Sequence, residues 1–326
     1  MTAVATPAGA VSRNTVDWHA INWHNAHTIV RRLQARLVKA TQMGRWGKVQ
    51  ALQRLLTHAF SAKVLALDPI AETLAEPNSY GFRLERSPAD AIAQCHRVLS
   101  LRWSAQWILE GDIRSGFDSI SHDWLLANIP MEKAILRQWL TAGFMDKHVL
   151  SPTATGVPQG GIASPVLMNL TLNGLERHIR GAFPRFQGSQ RTKVHVLRFA
   201  DDCIITGRTR AFLEQEVSPR VEPLLSARGL ELSHAKTRIT HIEDGFDCLG
   251  THVRTYHGKL VCTPAKKNVH AFLETIRHLV KRQKQATAGQ LIMQLNPVIR
   301  GWAQSQQHGA SKRTFATVDH HIFTLL

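Results

Sequence analysis

Acidic residues are the scarce class in this chain. Over 326 residues, 24 Asp and Glu face 40 Lys and Arg, for a net charge of +16 at pH 7. That balance points to a polyanionic partner more than to solubility alone. Cysteine is scarce too: Cys95, Cys203, Cys248 and Cys262 are scattered, with no Cys-x-x-Cys pair. Such spacing excludes a zinc ribbon and a disulfide framework, and it fits a reducing, cytoplasmic setting. No stretch approaches the roughly 18 apolar residues of a membrane span. Met1–Asn14 lacks the apolar segment of a secretory leader. Neither membrane insertion nor export is expected. Histidine is plentiful but dispersed, so most copies read as surface residues. The length suits about two domains.

Two of the few carboxylates are adjacent. Val194–Leu197 and Cys203–Ile205 are apolar, β-branched runs flanking Phe199-Ala-Asp201-Asp202. The pattern predicts a hairpin with the aspartates at its turn. Two neighbouring carboxylates between buried strands repel each other, so the pair suggests a seat for a divalent cation. A third carboxylate is available from Gln106–Asp112, which reads as a strand presenting Asp112 at its end. Oxygen-only ligands of this kind suit Mg²⁺, with Mn²⁺ as a substitute.

Asp112-Ile113-Arg-Ser-Gly-Phe117-Asp118, Gly156-Val-Pro158-Gln159-Gly160-Gly161 and Phe199-Ala-Asp-Asp202 follow one another in order. In that order they closely resemble the motifs of reverse transcriptases encoded by group II introns, the intron maturases. The resemblance runs from about Val16 to the C-terminus. It implies an α+β fold, a polymerase palm of antiparallel sheet backed by helices, with a basic helical N-terminal extension and a partial helical thumb. It also implies RNA-directed DNA synthesis, with dNTPs added to a primer 3′-hydroxyl through two metal ions and coupled to intron splicing and mobility. Asp112, Asp201 and Asp202 would hold the metals, and Lys236, in Leu232–Ile239, would assist the leaving group. Ile113, Phe117, Pro158, Gln159 and Gly160 would shape the nucleotide pocket. Asp118 matches a family position but is not expected to bind metal. The implied partners are intron or template RNA, a DNA primer and dNTPs.

The implied division is a disordered tail (1–15), the basic extension (16–65), the palm (66–262) and the partial thumb (263–326). Between Ile29 and Arg54 stand Arg31, Arg32, Arg36, Lys39, Arg45, Lys48 and Arg54, with no acid among them. A run without balancing acid points to phosphate contact. Arg83 and Arg86 in a turn-rich loop, and Lys266 and Lys267 at the start of the thumb, are further candidates for RNA contact. One departure from the family stands out. Phe60–Leu65 passes almost directly into Ala66–Glu72, where relatives carry a fingers block that covers the incoming triphosphate. The chain also stops short of the family's usual C-terminal length. An RNA-binding maturase-type protein, or an inactive remnant, is therefore the alternative to an active polymerase. A nucleotide-cyclase palm is more distant, because of the proline-glutamine loop and the thumb.

Local signals place the remaining elements. Ser87-Pro88-Ala-Asp90 is a helix start, with Ser as N-cap and Pro at the first position. Ser121 opens a second helix, and Met131–Leu140 is amphipathic. Ser164-Pro165 opens a single helix with Leu167, Leu170, Leu175 and Ile179 facing inward. Phe212–Leu225 reads as one helix ended near Gly229, and a hairpin is expected about His257-Gly258. Helices follow from Pro264 onward.

Overall fold

A computed structural model describes residues 71–326 except 84, 132, 142–143, 147–148, 152, 154, 158–162 and 284, together with Arg36, Lys39, Ala40, Met43, Arg45 and Lys48. The chain divides into two compact units, Met1–Ile70 and Ala71–Leu326. In the first, Arg36, Lys39 and Lys48 are helical and exposed. Arg31, Arg32, the tail and the stretch about Lys63 lie outside the described residues.

In the second unit the strands are β1 (Trp107–Gly111), β2 (Phe144–Asp146), β3 (Val149–Ser151), β4 (Phe186–Gln187), β5 (Gln190–Arg191), β6 (Val196–Phe199), β7 (Asp202–Gly207), β8 (Arg238–His241), β9 (Phe246–Cys248), β10 (Thr251–Tyr256) and β11 (Lys259–Pro264). Its helices are α1 (Pro88–Leu99), α2 (Gly116–Ser119), α3 (His122–Asn128), α4 (Lys133–Leu140), α5 (Ser164–Leu172), α6 (Leu175–Ala182), α7 (Arg210–Phe212), α8 (Ser218–Ser226), α9 (Lys266–Arg282), α10 (Ala288–Gln306) and α11 (Lys312–Leu325).

The central sheet has the order β6-β7-β1-β8, and each neighbouring pair is antiparallel. β1 and β7 lie in its middle, and Cys203–Gly207 are all buried. That explains their nearly unbroken apolar sequences: a strand covered on both faces has no polar side to alternate with. α1 begins as expected, with a capping box in which the Ser87 hydroxyl accepts from Asp90 N–H and the Asp90 carboxylate accepts from Ser87 N–H. Its inward stripe of Ile92, Cys95 and Leu99 packs with Ile108, Leu197 and Ile204 of the sheet. Phe246, Val253 and Cys262, from the second sheet β11-β10-β9, complete the same core. The hairpin turn at His257-Gly258 has φ +48° and +76°, as a two-residue turn of the primed type requires.

α9, α10 and α11 bury a separate core of Phe272, Ile276, Leu295, Val318 and Ile322. Trp302 stacks on Phe272 with ring centroids 4.4 Å apart, and its indole N–H donates to Asn268 Oδ1 at 2.7 Å. Among the described residues, no helix is long and apolar enough to cross a membrane.

One reading needs correction. The single helix expected from Ser164 to Ile179 is two, because Gly174 takes φ +90° and ends the first turn geometry after Leu172. The run Phe212–Leu225 is helical throughout, as expected, with a π-helical turn at Leu213–Val217 between α7 and α8. Pro219 offers no N–H to the preceding turn, so the hydrogen-bond register widens there.

Candidate active site

Two strands deliver carboxylates to one end of the central sheet. β1 ends at Gly111, so Asp112 follows immediately, and β6 reverses into β7 through Ala200 and Asp201. Gly111 pairs with Cys203 and Phe199 with Asp202. Continued by one residue, that register sets Asp112 directly opposite Asp202 on the neighbouring strand. Their charges meet: partial desolvation first, then the Asp201 and Asp112 carboxylates, raise the carboxyl of Asp202 above the usual range. Lys236 opposes that shift.

Lys236 arrives by main-chain zippering. Arg114 N–H donates to Glu231 O, Ile113 bridges Leu232, and Ser233 N–H donates to Asp112 O at 2.8 Å. The turn that follows puts Lys236 Nζ 3.2 Å from Asp112 Oδ2. Phe117 lies half-buried in α2. Val157 N–H donates to Phe117 O at 2.6 Å and Gly156 N–H to Ile120 O at 2.9 Å. The loop that continues into Pro158, Gln159 and Gly160 therefore departs from beside Phe117, while those three residues lie outside the described set. Ile113 is buried in the core, so only its main chain is available to a nucleotide.

The donor set suits a hard divalent cation, being all carboxylate oxygen. Asp112 Oδ2 is buried and, among the described residues, accepts no hydrogen bond; the Lys236 ammonium stands 3.2 Å from it. Among the described residues, no three His, Cys, Asp or Glu groups already stand close enough to hold an ion. The residues fit a metal in kind, and the Lys236–Asp112 contact would have to open to admit one.

A further residue organises the turn. Arg198 on β6 is 3% exposed, and burial pushes its guanidinium down to about 10. Its Nη1 donates to Ala200 O at 3.2 Å and to Asn169 Oδ1 on α5 at 3.0 Å. Asn169 Nδ2 in turn donates to Gly81 O at 2.7 Å. Ala200 has φ +56°, a left-handed conformation that costs a non-glycine residue about 1–2 kcal/mol. The Arg198 bond braces that strained residue directly before Asp201. The sequence did carry a signal, an arginine at an inward position between Val196, Leu197 and Phe199.

The expected RNA-contact residues divide. Arg83 directs Nη2 to Glu72 Oε2 at 2.7 Å and Nη1 to the carbonyls of Glu76 and Ser79. Its donors are spent inside the protein, so it ties the loop to residues 72–79 instead of reaching outward. Arg86 is exposed over the Tyr80 ring. Lys266 and Lys267 are exposed in the first turn of α9.

A family model for the reverse transcriptase (RNA-dependent DNA polymerase) matches residues 47–253. The chain belongs to the reverse transcriptase family. Models of the reverse transcriptase N-terminal domain and of the group II intron maturase-specific domain match residues 18–75 and 269–326. Among curated relatives, protein YkfC of Escherichia coli (strain K12) is 28% identical over 225 residues, 58% of either chain. Group II intron-encoded protein LtrA of Lactococcus lactis subsp. cremoris is 33% identical over 121 residues, 35% of this chain and 20% of LtrA. This reverse transcriptase chain thus spans only part of the length of both. A telomerase from Candida albicans, solved with a fragment of telomeric RNA, shares the fold with a TM-score of 0.50 at 13% identity, over 87% of this chain and 51% of that one.

Proposed function

We propose that this reverse transcriptase chain carries out RNA-directed DNA synthesis of the group II intron type, at a low rate. The carrying observation is the register that sets Asp112 beside Asp202 at one sheet end. RNA as template or intron partner, a DNA primer and dNTPs are the proposed substrates. Asp112, Asp201 and Asp202 would hold two Mg²⁺ ions, which when bound stabilise the attacking and leaving oxygens of phosphoryl transfer. Phe117 would border the nucleotide sugar, and Pro158, Gln159 and Gly160 would help to shape the nucleotide pocket. Lys236 leaves Asp112 and neutralises the pyrophosphate. Arg31, Arg32, Arg36, Lys39, Arg86, Lys266 and Lys267 contact nucleic acid phosphates.

The low rate follows from the short passage between Lys63 and Ala66, where relatives carry basic residues over the triphosphate. Losing one positioning or electrostatic group commonly costs about 10²–10³ in rate. The test is primer extension on an RNA template with Mg²⁺ and dNTPs, with Asp202→Ala as the blank. Weak extension above the blank is expected. Robust extension would refute the impairment. Extension no higher than the blank would refute synthesis and leave the second reading, an RNA-binding maturase-type protein, which the Lys236–Asp112 contact favours.

A further inference from the structure

The end of the central sheet opposite the carboxylates bears a hollow of about 550 Å³, formed where Ser104 and Ala105 lead into β1 and Lys193–His195 lead into β6. The five-residue β1 separates it from Asp112 by about 15–20 Å. Arg97, Arg180, Arg185, Arg191 and Lys193 line it, and among the described residues no carboxylate does. Arg180 is paired with Glu176, and Lys193 Nζ donates to Ser104 O. The other three are different. Arg97 donates to the neutral Gln94 amide at 2.8 Å, while Arg185 and Arg191 lie over the Phe186 ring at 5.8 and 5.4 Å. Among the described residues none of these three has an acidic partner. Neutral contacts thus hold three uncompensated guanidinium groups around one cavity. At its edge, burial and then the Arg180 charge lower the His195 imidazole below its usual range, with Glu176 opposing.

Beside them Trp103 is 62% exposed. An open indole next to oriented guanidinium groups matches the two faces of a nucleotide, with base on ring and phosphate on arginine. A concave site takes unstacked bases, not the outside of a duplex. Gln94 gives its carbonyl oxygen to Arg97, which leaves its amide N–H groups to meet a ribose hydroxyl. We propose that this hollow is a binding site for single-stranded RNA, with phosphates on Arg97, Arg185 and Arg191 and a base stacked on Trp103. The site is separate from the one assigned to nucleotidyl transfer, and RNA held there would leave the carboxylate end free.

The test uses the whole chain and a fluorescent 12-nucleotide RNA carrying 4-thiouridine, without Mg²⁺, across a KCl series. Ultraviolet cross-links are expected on peptides containing Trp103 or Arg185–Arg191. The combined Arg97→Gln, Arg185→Gln, Arg191→Gln protein should lose those cross-links. Its log affinity against log salt should flatten by about 2, at roughly 0.7 per phosphate released from a single strand. Trp103→Ala should weaken binding about tenfold. Asp202→Ala should bind as the parent does, so a failure of primer extension and a failure of this site read out separately. Cross-links confined to other segments, or an unchanged salt slope, would overturn the site. Equal competition by DNA of the same sequence would overturn the RNA assignment, and equal competition by a poly-glutamate peptide would overturn nucleic acid altogether.

Discussion

Arg198 shows how one buried charge fixes a reactive turn. Its guanidinium is desolvated, and desolvation lowers it to about 10. It is retained among apolar neighbours because it satisfies Asn169 Oδ1 and Ala200 O together. Removing one partner of a buried polar network leaves the other groups unsatisfied, at about 1–3 kcal/mol for each. Arg198→Leu should therefore destabilise the protein by about 2–4 kcal/mol, read from urea unfolding midpoints. Arg198→Lys should recover only part of this, since an ammonium lacks the planar fork that reaches two acceptors. Arg180→Ala, which breaks an ion pair with a half-exposed arginine, should cost less than about 1 kcal/mol. A loss below that size for Arg198→Leu would show that Ala200 holds its conformation unaided.

At the scale of elements, the site depends on a segment outside the sheet's four strands. Ser79 forms a parallel bridge with Arg198, and Tyr80 N–H donates to Arg198 O at 2.8 Å. Gly81 then passes so close to the turn that a Cβ there would run into Ala200 N, with Ala200 Cα and Phe199 C each 2.9 Å away. The obstacle is main chain and cannot rotate aside. Gly81→Ala should destabilise by about 1–3 kcal/mol through overpacking and displace the turn before Asp201. Gly181 in α6 is the control, because nothing lies within 4 Å of a Cβ built there. Gly181→Ala should be neutral or stabilising by up to about 1 kcal/mol. Thermal unfolding of both proteins decides it, and equal midpoints would mean that the segment yields.

At the scale of the whole molecule, the net charge of +16 governs association. RNA binding by the full chain should be sub-micromolar at low salt and fall steeply as salt rises, because each phosphate contact releases roughly 0.7–0.9 counterions. Reversing Arg31, Arg32 and Arg36 to Glu should weaken binding and flatten that dependence, measured by filter binding from low to high KCl. Binding that ignores salt would mean the basic faces only solvate the protein.

What the sequence determined by itself was everything encoded in neighbouring residues. The Asp201–Asp202 hairpin, the strand into Asp112, the Ser87 cap and the His257-Gly258 turn each follow from side-chain chemistry within a few positions. The ordered motifs added the α+β palm and the reverse transcriptase family. Tertiary structure decided what depends on residues far apart in the chain. Arg83 reads as a candidate phosphate ligand until Glu72 and two carbonyls are found to consume its donors. Arg198 reads as one more basic residue until Asn169 and Ala200 are brought to it across the fold. Gly174 divides a helix that apolar periodicity alone would continue, since periodicity records which face is buried and not where the hydrogen-bond register breaks. The contact between Lys236 and Asp112 joins residues more than a hundred positions apart. Only the pairing of β1 with β8, and the zippering of Asp112–Arg114 against Glu231–Ser233, brings those two charges within reach of each other.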